Sequence, residues 1–179
     1  MRTGEIRALE WSDIDFENKV IHITGTLAEL GGKVFKETPK TKTSARDIPM
    51  LENVEKIFMR IKEEQEIKKA KLGDKYQSKE GLENLIFRSR RGTPVSNSCY
   101  VRMINRTVDK INNDGIEFEH VHPHTLRHTF ATRCIESGIP PQVLKTILGH
   151  SSLAMTMDLY AHVLPDTKAE EMKKIADLF

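Results

Sequence analysis

The last third of the sequence concentrates side chains that could act on a phosphate. His124 and Arg127 stand three residues apart, so on a helix they share one face and place an imidazole beside a permanently charged guanidinium. His150 and Tyr160 follow within the next forty residues. Phosphoryl transfer needs cationic donors aimed at the equatorial oxygens and a proton source for the departing oxygen. This grouping indicates phosphoryl-transfer chemistry.

Tyr160 is the candidate nucleophile in this group. A tyrosine hydroxyl has a reference pKa of about 10, so near neutral pH it attacks only with cationic neighbours or with a base that takes its proton. Arginines and histidines around a phosphate supply both, and a lysine on a hairpin could protonate the leaving oxygen. A tyrosine beside an apolar segment more often packs in a core, so this interpretation depends on the neighbouring groups.

A metal site is the alternative reading of the histidines. His120, His122 and His124 alternate, and on a strand they would align as ligands. Pro123 and the start of a helix argue against that geometry, so we expect no metal and no cofactor. Cys99 and Cys134 lack CxxC spacing and are interpreted as idle thiols.

Composition indicates one ordinary globular domain. The chain has 179 residues, of which 38% are hydrophobic and 30% charged, enough to bury a core without disulfides or a structural metal. It contains no apolar run near the roughly 20 residues of a membrane span. The first residues lack the apolar core of a signal peptide, so we expect the protein to remain in the cytoplasm.

The distribution of charge says more than the net value of +2. Two stretches are strongly basic, and local clusters determine attraction to a polyanion. The first contains Lys33, Lys36, Lys40, Lys42 and Arg46 against the single acid Glu37, and the second contains Arg88, Arg90, Arg91, Arg102 and Arg106 without any acid. These stretches favour a polyanionic partner.

Periodicity predicts an α+β fold, mainly helical, with one small three-stranded antiparallel sheet. The strands are expected at Val20–Thr24, Lys33–Lys36 and Ala45–Met50. The predicted helices cover Glu5–Leu9, Met50–Lys71, Ser96 or Asn97 to about Asn112, His124–Ser137, Pro140 or Pro141 to about Leu148, and Asp166–Phe179.

Four segments, in order along nearly the whole chain, resemble the motifs of the tyrosine recombinases, or phage integrases. They are Arg2–Asp15, which is similar to the first arginine box; Pro39–Pro49, similar to the β-hairpin lysine segment; His124–Thr132, similar to the second box; and Leu148–Ser152 with Tyr160–Val163, similar to the third histidine and the nucleophile. The resemblance implies the catalytic-domain fold of that family and cleavage and rejoining of DNA through a 3′-phosphotyrosyl link.

The resemblance also implies the roles of the phosphate-binding residues. Arg2 and Arg127 would clamp the non-bridging oxygens, where bidentate geometry and permanent charge help most. His124 and His150 would hydrogen-bond the phosphate, with His124 accepting the tyrosine proton. Glu5, three residues after Arg2 on the same helical face, would orient that arginine.

The same resemblance implies that Tyr160 attacks and that Lys40 is the general acid for the leaving 5′ hydroxyl, with Lys42 as the alternative lysine. The phosphotyrosyl link conserves the bond energy, so neither ATP nor a metal is expected. The implied partners are double-stranded DNA at an attachment site and further copies of the chain, in a tetramer on that DNA.

Residues 1–179 are interpreted as the catalytic domain alone. Members of the resembled family carry a helix before the first arginine and a separate amino-terminal DNA-binding domain, neither of which precedes Arg2, so we expect weak binding and slow cleavage by this chain. Met172, Ile175 and Phe179 share a face of the last predicted helix, which could dock on a neighbouring copy. The alternatives are a non-catalytic DNA-binding module, a type IB topoisomerase and a metal-dependent hydrolase.

Overall fold

The strands form two small antiparallel sheets. The computed structural model describes residues 1–38 and 44–164. The strands are β1 (Ile14–Asp15), β2 (Val20–Ile23), β3 (Thr26–Leu30), β4 (Lys33–Glu37) and β5 (Arg46–Pro49). The first sheet has three strands in the order β1-β2-β5, and the second is the hairpin β3-β4.

The predicted α+β class with a three-stranded sheet is confirmed, and all three predicted strands form, but the strand predicted at Lys33–Lys36 was assigned to the wrong sheet. The strand at 33–37 pairs with Thr26–Leu30 and lies in the other sheet, while Ile14–Asp15 takes its place beside β2. Gly31 and Gly32 both adopt positive φ, 56° and 74°, which closes a tight turn between β3 and β4. Because that turn returns the chain directly onto β3, the 33–37 strand pairs with its immediate predecessor.

Six α-helices supply most of the remaining structure of the described residues. They are α1 (Thr3–Ala8), α2 (Glu52–Leu72), α3 (Asn97–Asn113), α4 (Pro123–Glu136), α5 (Pro141–Leu148) and α6 (Ala154–Val163). The first five confirm predicted helices to within a few residues, whereas α6 was not predicted. Ser96 caps α3 by accepting a hydrogen bond from the Cys99 amide at 3.1 Å. The helix predicted at 166–179 lies outside the described residues.

Two hydrophobic cores position the elements that matter for the site. The first lies between the three-stranded sheet and α2, where Trp11 meets Phe58 edge to face at 6.5 Å. The second packs α4, α5 and α6 together through Ala131, Cys134, Ile135, Leu144 and Leu148. This second core brings the carboxyl end of α5 against α4. Within residues 1–38 and 44–164, no helix is long and apolar enough to cross a membrane.

Candidate active site

The carboxyl end of α5 gathers three arginines that are distant in the sequence. The last carbonyls of a helix lack intrahelical partners and carry the negative end of the helix dipole, so they attract cations. Three consecutive carbonyls each accept one guanidinium hydrogen bond here: Ile147 from Arg46 Nε at 2.8 Å, Leu148 from Arg127 Nη2 at 2.5 Å, and Gly149 from Arg2 Nη2 at 2.9 Å. The helix end thereby collects positive charge from α1, β5 and α4.

Glu5 joins two of these arginines. Its carboxylate accepts hydrogen bonds from Arg2 Nη1 at 2.9 Å and from the Arg2 backbone amide at 2.7 Å. Arg46 grips the same carboxylate with both terminal nitrogens, at 3.1 and 2.9 Å. Burial alone would raise the pKa of the Glu5 carboxyl, but the hydrogen bonds and charges of Arg46 and Arg2 outweigh it and hold that pKa at about 2. Glu5 is therefore ionised at neutral pH, and its predicted contact with Arg2 is present.

Arg127 lines a pocket and has an unused donor nitrogen. The residue is 8% exposed, and its buried Nη1 has no hydrogen-bond partner among the described residues. Burial, and then repulsion from Arg2, lowers the pKa of Arg127 to about 10, so the guanidinium is still charged at neutral pH. The adjoining pocket of about 170 Å³ is lined by His124, Arg127, His128, Ala131, Leu148, His150, Met155 and Leu159. A buried cationic donor without a partner suits an anion.

Three histidines line the same pocket. The His124 and His128 rings lie one helical turn apart on α4, with centroids separated by 5.7 Å, and both residues are exposed. His150 is buried, and its Nδ1 lies 3.0 Å from the Thr156 hydroxyl. Burial, and then the charge of Arg127, lowers the pKa of His150 below its ordinary value. His150 is therefore neutral at pH 7 and can act as a hydrogen-bonding group.

The histidines do not assemble as metal ligands in the described part of the chain. No group of three or more histidine, cysteine or acidic side chains is close enough there to hold a metal ion. His122 occupies the N-cap position of α4 and Pro123 is the first helical residue, so the strand geometry required for the metal alternative does not form.

Tyr160 lies apart from the pocket. Its hydroxyl donates a hydrogen bond to the Ile139 carbonyl, and its ring packs against the core of α4 and α5. Burial, and then the nearby Cys134 thiol, raises the pKa of Tyr160 above its ordinary value. Met155 and Leu159, on the same helix, do line the pocket. The structure thus brings His124, Arg127 and His150 into one pocket, and it places Arg2 on the carbonyl of Gly149, between two lining residues. The Tyr160 hydroxyl is not brought to this pocket. Lys40 and Lys42 lie outside the described residues.

Arg46 was counted in the sequence among the basic residues that favour a polyanionic partner, but it is buried. It is 9% exposed, and its hydrogen bonds go to Glu5, Ile147 and Ser44. Strand alternation could have revealed this, because Arg46 shares the inward face of β5 with Ile48 while the intervening residue is exposed.

Other basic residues divide between internal and external roles. Lys36 pairs with Glu10 at 2.8 Å, and Arg88 donates to the Leu82 and Leu85 carbonyls. Four members of the second basic stretch are exposed: Arg90, Arg91, Arg102 and Arg106. These four arginines can face a polyanion, whereas Lys36 and Arg46 of the first basic stretch are engaged in contacts within the protein.

The motifs and the fold agree with one family. The sequence profile of the phage integrase family matches residues 1–166. The chain belongs to the phage integrase family. Among curated relatives, it is 34% identical over 179 residues to the transposase from transposon Tn916 of Enterococcus faecalis, covering 98% of this chain and 42% of that protein. It is 30% identical over 178 residues to the ICEBs1 integrase of Bacillus subtilis, covering 99% of this chain and 46% of the relative.

A solved member of the family has the same fold. The Tn1549 transposon integrase, in complex with transposon right end DNA, superposes with a TM-score of 0.83 at 32% identity, covering 98% of this chain and 55% of that one. The chain therefore spans about half, or somewhat less, of the length of the integrase relatives it matches.

Proposed function

We propose that residues 1–179 form the catalytic domain of a site-specific DNA recombinase, which cleaves and rejoins strands through a 3′-phosphotyrosyl intermediate during integration or excision of a mobile element. The observation that carries this proposal is the unpartnered Nη1 of Arg127, a residue that lines the same pocket as two candidate catalytic histidines. Membership in the phage integrase family supports the reaction class. A neutral substrate would leave this buried donor without a charged partner.

In the proposed reaction, the scissile phosphate enters the pocket and accepts hydrogen bonds from Arg127 and Arg2. The Tyr160 oxygen attacks phosphorus and passes its proton to His124, while the bond from phosphorus to the 5′ oxygen breaks. Lys40, or alternatively Lys42, protonates that leaving oxygen. A 5′ hydroxyl from the partner strand then reverses the step and releases the tyrosine. Two phosphoester bonds are exchanged without loss, so the step consumes no ATP.

Tyr160 must move before it can react. Its hydroxyl lies on the Ile139 carbonyl, and its pKa is raised there by burial. In that location the Tyr160 hydroxyl is protonated at neutral pH and lies apart from the pocket that Arg127 lines. Because Met155 and Leu159 of α6 already border the pocket, a displacement of α6 would carry the neighbouring Tyr160 with it. The proposal therefore includes two positions of α6, of which the cleaving one is adopted on DNA.

The proposed partners are double-stranded DNA and further copies of the chain, in a tetramer at the attachment site in the cytoplasm. The Tn1549 integrase was solved with transposon DNA, and the exposed arginines at 90, 91, 102 and 106 suit a phosphate backbone. Phe130, Met155 and Met157 are exposed apolar side chains on α4 and α6 that a second copy could cover. Light scattering of the protein with and without the attachment-site DNA measures the assembly.

The deciding experiment uses a nicked suicide substrate that carries the element's attachment site. Wild type and Tyr160→Phe are incubated with it in the presence of a chelator, both as this chain and with the amino-terminal region of the Tn916 relative attached. We expect a denaturation-resistant protein–DNA adduct from wild type alone.

Absence of an adduct from the extended protein would refute the enzymatic proposal and leave a non-catalytic DNA-binding module. Relaxation of supercoiled DNA without site preference would instead indicate type IB topoisomerase activity. Adduct formation that requires a divalent metal would contradict a mechanism based on tyrosine, arginine and histidine alone.

A further inference from the structure

We propose that Arg46 is a positioning residue of the recombination site: it fixes the two phosphate-binding arginines in their working geometry without contacting DNA. This inference rests on the proposed function of the site. It assigns a role to a residue that the recombinase motifs quoted above do not include among the groups that act on the phosphate.

Arg46 is fully engaged by the protein. Its side chain is 3% exposed. Nε donates to the Ile147 carbonyl, Nη1 to Glu5 and to the Ser44 carbonyl, and Nη2 to the other Glu5 oxygen, at distances of 2.8 to 3.1 Å. These contacts use four of the five N–H donors of the guanidinium, and the side chain is too deeply buried to offer the fifth to a phosphate. Arg46 therefore acts only through the groups that it holds.

The first of these groups is Glu5, which holds Arg2. The Arg2 side chain is 42% exposed, so its position depends on its two fixed contacts, Glu5 at 2.9 Å and the Gly149 carbonyl at 2.9 Å. The two-pronged grip of Arg46 fixes the orientation of the Glu5 carboxylate. If that grip is lost, the carboxylate can rotate, and Arg2 loses the acceptor that aligns it.

The second group is the end of α5. An added Cβ on Gly149 would lie 2.7 Å from Arg46 Nη1 and 2.9 Å from its Cζ, so the guanidinium lies directly against the Gly149 main chain. The same turn supplies the Leu148 carbonyl that holds Arg127, and it leads into His150. Arg46 thus contacts the supports of both phosphate-binding arginines, from a strand that belongs to a different part of the fold.

Arg46→Lys is the informative substitution, because it retains the charge and removes the planar fork. One ammonium group cannot reach both Glu5 oxygens and the Ile147 carbonyl at once. Arg7→Lys is the matched control: the Arg7 side chain is 4% exposed, donates to the Val95 carbonyl at 2.7 Å and pairs with Glu29, also across separate elements. The two variants remove similar buried arginine networks, but Arg7 makes no contact with Glu5 or with the end of α5.

The two variants are compared in the amino-terminally extended protein, with the suicide substrate at saturation. Circular dichroism first establishes that each is fully folded at the assay temperature. We expect Arg46→Lys to slow single-turnover adduct formation roughly 100-fold, the scale expected for a misplacement of about 1 Å in a reacting group. The Kd for DNA should stay within about threefold of wild type, since Arg46 touches no phosphate. Arg7→Lys should change neither quantity by more than about threefold.

Two further measurements keep the inference testable if Arg46→Lys folds poorly. Glu5→Gln breaks the same link from its other side, and the double variant with Arg46→Lys should be no slower than the slower single variant. In Arg46→Ala, added guanidinium ion should restore part of the cleavage rate at concentrations that leave wild type unchanged. Each readout follows positioning and not folding alone.

The outcomes separate this inference from the function on which it rests. If wild type forms no adduct, or if Tyr160→Phe forms one, the proposed function fails. If wild type cleaves and a folded Arg46→Lys cleaves at the same rate, the positioning role of Arg46 is wrong. An equal loss of rate in Arg7→Lys and Arg46→Lys would also overturn it, because the effect would then be one of general stability.

Discussion

Replacing Glu5 with glutamine tests the electrostatic network at the centre of the site. Glu5 is 5% exposed and accepts four hydrogen bonds, two from Arg2 and two from Arg46. Glutamine keeps the size of the side chain and one acceptor oxygen but removes the charge. It also turns an NH2 group toward guanidinium donors, so at least one hydrogen bond becomes a donor–donor clash.

The expected magnitude follows from the pKa of Glu5. That pKa is about 2 in the folded protein, against an ordinary value of 4.5. Because the folded pKa is depressed, ionisation stabilises the fold above pH 4.5, and the stabilisation is lost as the pH falls toward 2. The difference corresponds to about 3 kcal/mol of unfolding free energy at pH 7 and to less than half of that at pH 3.

Urea unfolding at pH 7 and at pH 3 measures the difference between wild type and Glu5→Gln. Glu52→Gln is the control, since the Glu52 side chain is 74% exposed and pairs with Lys56 on the surface. Such surface pairs contribute at most about 1 kcal/mol. We expect the deficit of Glu5→Gln to shrink by more than half between the two pH values. A deficit in unfolding free energy of the same size at both pH values would show that the shape of Glu5, and not its charge, stabilises the fold.

Three further predictions concern the same site. Tungstate, which carries a phosphate-like charge and shape, should raise the unfolding temperature of wild type but not of Arg127→Gln, because the unpartnered Nη1 is its donor. At a tungstate concentration of 100 times its Kd, the expected stabilisation is about 2.7 kcal/mol. An equal shift in both proteins would mean that the anion binds elsewhere. In an NMR titration, the midpoint of His150 should lie below 6.5 and rise in Arg127→Gln, since burial and then the Arg127 charge lower its pKa; an unchanged midpoint would contradict the coupling. In urea unfolding, Gly149→Ala should destabilise the fold more than Gly138→Ala. Both glycines have positive φ, 66° and 74°, which costs alanine about 1–2 kcal/mol, but only at Gly149 would the added Cβ meet Arg46. Equal losses of unfolding free energy would mean that the Arg46 guanidinium moves aside freely.

The residues proposed to act on the phosphate were visible in the sequence because their side chain types suit that chemistry. The spacing of His124 and Arg127 on one helical face needs no tertiary information, and the structure places both at one pocket. The contact between Arg2 and Glu5 follows in the same way from a three-residue spacing in a helix. Their roles in catalysis stay predictions until an adduct is measured.

The groups that hold those residues in place were much harder to predict. The carbonyls of Ile147, Leu148 and Gly149 are backbone atoms, so no side-chain type marks them as acceptors. The location of the Tyr160 hydroxyl depends on how α6 packs, and the short α6 segment carries no strong helical period. The sheet that the strand at 33–37 joins is determined by the glycine turn between β3 and β4 rather than by strand propensity.

The carbonyl that holds Arg127 affects how readily the phosphate of the proposed DNA substrate could bind this arginine instead. A carboxylate on Arg127 would act as a built-in competitor, since the incoming phosphate would have to displace one full negative charge with another. A carbonyl carries only a partial charge, so exchanging it for a phosphate oxygen gains attraction at the guanidinium. The sole carboxylate bound to this arginine group in the described structure, Glu5, is shared by Arg2 and Arg46 and leaves Arg127 uncontested. The end of α5 thus holds Arg127 in place without a charge that would compete with the proposed phosphate.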